Sequence, residues 1–508
     1  MLLLTILILN LVVSLTLFDP KLATGGDNAQ YMILARALTQ GEYANLHEPG
    51  TPPHTQYPPV FPLLLAPLVA AFGLNPIPLK LLVLLLSLAS LAMFSAVLGL
   101  WLGPNRRLAP LVLLGFSPLF FNYSHYVFSE MPFIFFSLVS LYFLLRSDEH
   151  CGRYQAGGAR HRVLVALAGF FAAVSFLTRT QGAALPAAIV LLLAYRRRWQ
   201  EVLVFVGTFV LVCLPWFIRD FSLPHTGGYL EQLLHRDEYN PAAGNVNFRD
   251  MLSRLGQNLA IYAFRVYPKV LVPIISERSF LAGFLGLGLW ATTLVGLAWR
   301  WRHGKLGAPE SYCLLAVVLL LVWPSVWSGD RFLLPVLPFL LGYLVLGLER
   351  LGEWLKARRL VVVVTTLLLV GYAVSVAQSA ARNLSNIRVY LAGDTWAGYD
   401  DTWRTYFQAV KWVKDNTAPH SVVVSRKPQF TYLLSNRQSF TYPYVADDSV
   451  VLASLKTKGA THAFLETFFG QSMRFLYPVI KRHPERFELL TSKGRGELQV
   501  QIYRVVPW

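Results

Sequence analysis

Residues 19–57 read DPKLATGGDNAQYMILARALTQGEYANLHEPGTPPHTQY. This stretch follows an uncharged apolar run, Met1 to Phe18, and leads into YPPVFPLLLAPLVAAFG at 57–73. An acidic residue, Asp27, therefore stands just beyond a hydrophobic segment and is followed by a short amphipathic one. In Asn28–Gln40 the residues Tyr31, Leu34, Ala35 and Leu38 fall on one face, which predicts a helix lying in a membrane interface. The 57–73 run is apolar but rich in proline, so it predicts an interfacial or re-entrant helix rather than a lipid-exposed span. The first loop of a polytopic membrane protein has this layout.

Composition agrees. The chain has 508 residues, 55% hydrophobic and only 14% charged, where a soluble domain carries about 25% charged residues. The net charge of +17 would suit nucleic acid, but the Lys and Arg residues sit in short loops between apolar runs. There they fix topology and meet anionic lipid, so membrane lipids and not nucleic acid are the expected partner of that charge. Cys151, Cys213 and Cys313 are widely spaced and odd in number, which predicts packing rather than a disulfide framework or a metal site.

About eleven spans follow from the length a bilayer requires. They are Met1–Phe18, Ile77–Leu100, Leu108–Asn122, Glu130–Leu145, Val163–Leu177, Gly182–Tyr195, Val202–Ile218, Phe280–Trp299, Tyr312–Trp327, Phe332–Leu348 and Leu360–Gln378. Alternate loops hold Arg106 and Arg107; Arg146, Arg153, Arg160 and Arg162; Arg196 to Arg198; Arg300, Arg302 and Lys305; and Arg350, Lys356, Arg358 and Arg359. The loops between them are nearly free of basic residues. By the positive-inside rule the basic set is cytoplasmic, and the first loop (19–76), the long loop (219–279) and the C-terminal segment lie outside.

The character of the chain changes near Ala380. Trp396–Asn416 reads as an amphipathic helix, Ser421–Ser425 as a buried strand, Asp448–Lys458 as a helix and Thr461–Glu466 as a second strand, with a terminal hairpin around Gly496–Val505. The expected organisation is a membrane module over 1–379 and an extracytoplasmic α/β domain over 380–508.

The spans hold almost no ionisable groups in their interiors, so a transport path through charged intramembrane residues is not supported. The exceptions cluster at the outer ends: Asp27, Glu130, Arg179, Arg219, Asp330 and Arg331. Carboxylates and guanidiniums facing one exterior cleft, beside an apolar segment, suit a lipid-phosphate substrate.

At these residues the chain resembles a known family. TGGDNAQYMILARALTQGEY (Thr24–Tyr43) is similar to the first outer-loop motif of GT-C glycosyltransferases, and TQYPPVFPLL (Thr55–Leu64) to the K-P-P-L segment that closes that loop. SEMPFIFF (Ser129–Phe136) resembles the second acidic motif and LTRTQGAAL (Leu177–Leu185) the basic turn between two spans. LPWFIRDF (Leu214–Phe221) is similar to P-W-x-x-R-N, and DRFLLPVLPFL (Asp330–Leu340) to R-Y-x-L-P-x-x-P. The nearest patterns are those of the aminoarabinose transferases of lipid A and the protein O-mannosyltransferases. Two departures stand out: the usual acidic pair is here Asp27–Asn28, and the basic residue before Pro-Pro is Tyr57.

The resemblance implies a GT-C fold in a membrane, by preference a bacterial inner membrane, with an extracytoplasmic site. It also implies transfer of a sugar from a polyprenyl-phosphate donor to a lipid, glycan or protein acceptor. Asp27 is then the candidate general base and Glu130 a second catalytic carboxylate. Arg179, Arg219 and Arg331 are candidates for the donor phosphate, which guanidinium grips in a bidentate fork. His54, Tyr57 and Asn28 are weaker candidates for substrate contact. No cofactor is certain from the sequence; a divalent cation, Mg or Mn, is the candidate, and Asp27 and Glu130 are the residues that would hold it. Trp216 and Trp327 read as part of an aromatic belt. A lipid or solute transporter, or a non-catalytic assembly factor that keeps the fold, are the competing readings.

Overall fold

The computed structural model describes every residue except 154–157, 224–227, 238, 241–242 and 277–278, and the side chains of 150–153 and 230. Among the described residues six helices are long and apolar enough to cross a membrane: Pro76–Trp101, Glu130–Arg153, Ala159–Phe176, Trp199–Phe221, Phe280–Arg302 and Leu360–Leu391. The last runs on past the boundary drawn at residue 379. Shorter apolar helices accompany them at Leu2–Thr16, Val60–Phe72, Ala184–Tyr195 and Ala308–Val322. At 1.5 Å per residue the 13-residue Val60–Phe72 helix is only about 20 Å long, too short to span and consistent with its expected re-entrant character.

The expected single span Leu108–Asn122 is instead two helices, Leu108–Gly115 and Pro118–Ser124. Ser117 precedes a proline, which forces it out of the helical region, and its ψ is 129°. The break frees the carbonyl of Gly115, and Asn10, buried in the middle of the first apolar helix, donates to it at 2.5 Å. A polar residue in a lipid-facing helix is thereby satisfied.

The centre of the module is Leu337–Trp354, buried at every position from Leu337 through Leu348. Its last turns carry Glu349, Arg350 and Glu353. It crosses Phe280–Arg302 closely enough that a side chain on Gly296 or Gly347 would run into the facing backbone, at Tyr343 and Thr292 respectively. Small residues at such crossings let two helices approach where no hydrophobic effect drives them together.

The C-terminal region holds a five-stranded sheet of order β2-β1-β3-β5-β4. The strands are β1 (Val422–Val424), β2 (Gln438–Phe440), β3 (His462–Glu466), β4 (Phe487–Arg495) and β5 (Leu498–Val505). β1, β2 and β3 are parallel; β5 runs antiparallel to β3 and forms the terminal hairpin with β4. The helix Asp401–Asn416 lays Tyr406, Phe407, Val410 and Val413 against Val423, Phe464 and Ile502 of the sheet.

The helix Gly26–Thr39 corrects the interfacial expectation. It is buried from Asn28 to Ala35 and again at Ala37, because it is wedged between the membrane helices and the outer domain. Tyr31 and Met32 belong to the membrane core, Ala29 packs with Tyr406 and Phe407, and Ile33 and Ala37 meet Leu46 and Leu433. Backbone pairing seals the junction, the Ser439 N–H donating to His47 O at 2.6 Å. Asp27, at the head of this helix, thus lies at the seam of both regions. Cys213 and Cys313 are free and buried, and the Cys151 side chain lies outside the described residues.

Candidate functional site

Three helix N-termini bring carboxylates to one end of the membrane helices, beside the C-terminal region. Asp27 sits in the first turn of Gly26–Thr39, Glu130 opens Glu130–Arg153, and Asp330 opens Asp330–Leu333. An acid at that position is favoured by the unpaired N–H groups and by the helix dipole. Gly25 lets the Asp27 loop close on the loop before Glu130, since a Cβ there would lie 2.6 Å from the Phe128 ring. Asn28 locks the closure: its Oδ1 accepts from the Val127 N–H and its Nδ2 donates to Gly25 O, both at 2.9 Å. Asn28 is fully buried and does not line the cavity.

Arg331 is the hub. Its Nη1 is 2.6 Å from Asp27 Oδ2, and its Nε donates to Glu130 Oε1. Arg179 reaches the same Glu130 oxygen at 2.8 Å and also donates to Ser129 Oγ at 3.1 Å. The Tyr57 hydroxyl donates to Asp27 Oδ1 at 2.9 Å. Glu130 is completely buried, yet its Oε2 has no partner among the described residues, and neither has Arg331 Nη2. Burial pushes the Asp27 carboxyl up. The Arg331 charge and hydrogen bond, the Tyr57 hydroxyl and the Arg179 charge outweigh it and hold the group below the ordinary carboxylate value.

This network opens onto a cavity of about 680 Å³. Asp27, Tyr31, Tyr57, Arg179, Asp330 and Arg331 form its polar side; Ala183, Leu319, Leu320, Trp323, Trp327 and Phe332 form a greasy wall. Asp27, Arg179, Arg331 and Tyr57 are therefore brought together, with Glu130 directly behind them.

Arg219 and His54 lie elsewhere. The Arg219 guanidinium, packed on Tyr43 and Trp216, donates to His54 O at 2.9 Å and Tyr43 O at 2.8 Å, and so fastens the first outer loop. His54 Nε2 accepts from the Tyr57 N–H at 2.8 Å, and its Nδ1 faces Asn45 Oδ1 at 2.8 Å. Burial, with His47 and Arg219 nearby, takes its pKa down to about 3, which keeps the ring neutral as that acceptor role needs. Both residues hold Tyr57 rather than face the cavity. Trp327 lines the cavity and Trp216 packs on Arg219. The sequence reading missed Tyr229, Gln232 and Trp323 on the cavity wall. The first two come from the long outer loop, where only an isolated aromatic in a polar stretch gave any signal.

A divalent cation does not fit between Asp27 and Glu130 as they stand, because the Arg331 guanidinium already bridges them. Among the described residues no three His, Cys, Asp or Glu side chains converge as a metal site.

No protein-family model and no curated protein sequence matches the chain. Solved structures do. ArnT from Cupriavidus metallidurans in the apo state superposes with a TM-score of 0.58 at 15% identity, covering 99% of this chain and 97% of that one. The same protein bound to undecaprenyl phosphate gives 0.57 at 14%, over 99% and 98%. The archaeal oligosaccharyltransferase AglB from Archaeoglobus fulgidus, in complex with an inhibitory peptide and a dolichol-phosphate, gives 0.61 at 11%, over 98% and 74%. The fold is that of the GT-C glycosyltransferases. A further AglB structure is a complex with Zn and sulfate, which is a statement about that protein.

Proposed function

We propose that this protein is a membrane glycosyltransferase that moves a sugar from a polyprenyl-phosphate carrier to an acceptor on the extracytoplasmic face. The observation that carries the reading is one arginine, Arg331, shared by two carboxylates at the mouth of a cavity with an apolar wall. The shared fold with ArnT and AglB, solved with undecaprenyl phosphate and dolichol-phosphate, supports the donor class.

The chemistry needs a base for the acceptor hydroxyl, a cation for the leaving phosphate and exclusion of water. In the resting protein Asp27 is a weak base, because Arg331 holds it ionised. The donor's phosphate competes for that guanidinium, starting from its unpartnered Nη2, with Arg179 beside it. Asp27 then keeps only the Tyr57 hydroxyl, and its affinity for a proton rises once the phosphate is seated. The acceptor oxygen attacks the anomeric carbon and Asp27 takes its proton. The bond from the anomeric carbon to the phosphate oxygen breaks, and its electron pair leaves on the phosphate, neutralised by Arg331 and Arg179. Glu130 is assigned the part of holding both arginines in place between turnovers. Arg219 and His54 are assigned positioning parts, acting through Tyr57.

Incubation of the purified protein in nanodiscs with radiolabelled undecaprenyl-phosphate sugars tests the reading. Wild type is expected to release or transfer label and Asp27→Asn to do neither. Release at an equal rate by Asp27→Asn would overturn the base assignment, and no release from any polyprenyl-phosphate sugar would overturn the activity.

A further inference from the structure

The second end of β1 carries a feature that the transfer chemistry above does not use. Arg426 and Lys427 follow the strand directly and lead into the helix Pro428–Ser435, at the carboxyl ends of parallel strands. Crevices at that edge of a parallel sheet are where ligands bind, and the start of a helix favours an anion. Neither cation has a carboxylate within ion-pair distance among the described residues, and Arg426 Nε is buried without a partner. Aromatic faces hold both instead. The Arg426 guanidinium lies 5.6 Å from the Tyr239 ring and 5.5 Å from Tyr444, and Lys427 Nζ lies 6.0 Å from Trp403 and 5.8 Å from Phe469. The nearby Glu466 forms no ion pair with either: its Oε1 accepts the Arg426 backbone N–H and its Oε2 the Ser472 hydroxyl, while its charge still reaches Lys427.

Arg426 is linked to the cavity wall through Tyr239. The Tyr239 hydroxyl accepts from Trp327 Nε1 at 3.0 Å, and Trp327 lines the cavity wall. Burial and the Arg426 charge lower the Lys427 ammonium to about 8, and the Asp27 and Glu466 charges oppose that fall. Two half-buried cations that form no ion pair among the described residues, beyond the cavity wall on the side of the C-terminal sheet, offer their charge to an anion that comes from outside the membrane. The donor phosphate arrives from the membrane side, at Arg331 and Arg179.

We infer that Arg426 and Lys427 recognise an anionic group, a phosphate monoester or a carboxylate, on the acceptor. This rests on the transferase reading and narrows it to a charged acceptor. The test uses the full-length protein in nanodiscs with four soluble probes: N-acetylglucosamine 1-phosphate and glucuronic acid, and their neutral counterparts N-acetylglucosamine and glucose. At least one anionic probe is expected to bind wild type about tenfold more tightly than its neutral partner, the worth of one charge-assisted contact. Which one does so separates phosphate from carboxylate. Arg426→Gln and Lys427→Gln are expected to lose that preference, and Lys427→Arg to regain it, with undecaprenyl phosphate affinity unchanged within about twofold. Lys427→Gln carries the test if Arg426→Gln folds poorly.

No anionic preference in wild type, or a preference that survives both variants, overturns the proposal. Loss of undecaprenyl phosphate affinity in their place overturns it too, since the cations would then serve the donor. The outcome is independent of the label-transfer result with Asp27→Asn, so failure of the base assignment and failure of the acceptor site are distinguishable.

Discussion

The protein builds two buried arginine–carboxylate clusters, one at each end of its membrane helices, and they differ in completeness. At the end that carries the basic loops, Glu310 Oε1 takes the Trp101 indole N–H at 2.7 Å and the Arg300 Nε, while Oε2 takes the Gly307 N–H at 2.7 Å. Arg300 spends its remaining nitrogens on Trp101 O and Lys305 O at 3.1 and 2.8 Å. Each Glu310 oxygen and each Arg300 nitrogen there has a partner, with only the neighbouring Tyr343 hydroxyl left without one among the described residues, and the cluster fastens three helices. At the other end Arg331 and Glu130 each keep an unpartnered atom, and a cavity of about 680 Å³ opens beside them. The same chemistry is a rivet when saturated and a receptor when left short.

The sharpest way to break that contrast is at Asp27. Asp27→Asn keeps the size and one acceptor oxygen, so thermal unfolding is expected to stay within a few degrees of wild type. Turnover is expected to fall by about 10²–10⁴, the usual worth of a general base. A large fall in unfolding temperature with turnover per folded molecule intact would make the outer cluster a second rivet.

Glu310→Ala is the reciprocal test. It strands Arg300, which is only 8% exposed in its side chain, without a counter-charge, and breaking one side of a buried pair costs about 3–5 kcal/mol. Denaturant or thermal unfolding of the purified protein is expected to show that loss, while label transfer per folded molecule is unchanged. Arg331→Gln should behave in the opposite manner. Glu130 remains paired with Arg179, so stability falls less than in Glu310→Ala, but undecaprenyl phosphate affinity drops by about tenfold or more, as expected for one charge-assisted fork.

Much of this contrast was legible in the sequence, and what was not has a physical cause. Asp27, Glu130, Arg179 and Arg331 could be picked out because each is an ionisable residue at the end of an apolar run, where a charge must have a reason. Arg219 satisfied the same rule and yet faces two backbone carbonyls, because one-dimensional position does not tell which way a side chain turns. The break at Ser117 was signalled by Pro118 but outweighed by hydropathy. Leu337–Trp354 was foreseen as a span over Phe332–Leu348, and starts five and ends six residues later, with Pro335 just before the helix and Pro338 in its first turn. β2 is only three residues long and was not foreseen, since its register comes from β1 and from His47 rather than from any pattern of its own. The wedge position of Gly26–Thr39 was likewise invisible: a helix that is apolar on one face and small on the other looks interfacial until a second domain covers it.

The smallest expected effect concerns Tyr57, which stands where the resembling motif has a basic residue. Tyr57→Phe keeps the ring that stacks 5.1 Å from Tyr31 and removes only the hydroxyl that donates to Asp27 Oδ1. That bond is one of the interactions holding the Asp27 carboxyl low. Without it the ionised form loses support, so the carboxyl titrates at higher pH. A smaller fraction of enzyme then carries an ionised base in acid, and the acid limb of kcat/KM moves up the pH scale. Near neutrality Asp27 is ionised in both proteins, so turnover there should differ by no more than about tenfold, the worth of one hydrogen bond to a charge. A pH–rate profile of both proteins from pH 4 to 8 decides it. An unmoved limb would mean that the group titrating there is not Asp27, and a variant dead at pH 7 would mean that the phenol itself handles the proton, which would move the base from residue 27 to residue 57.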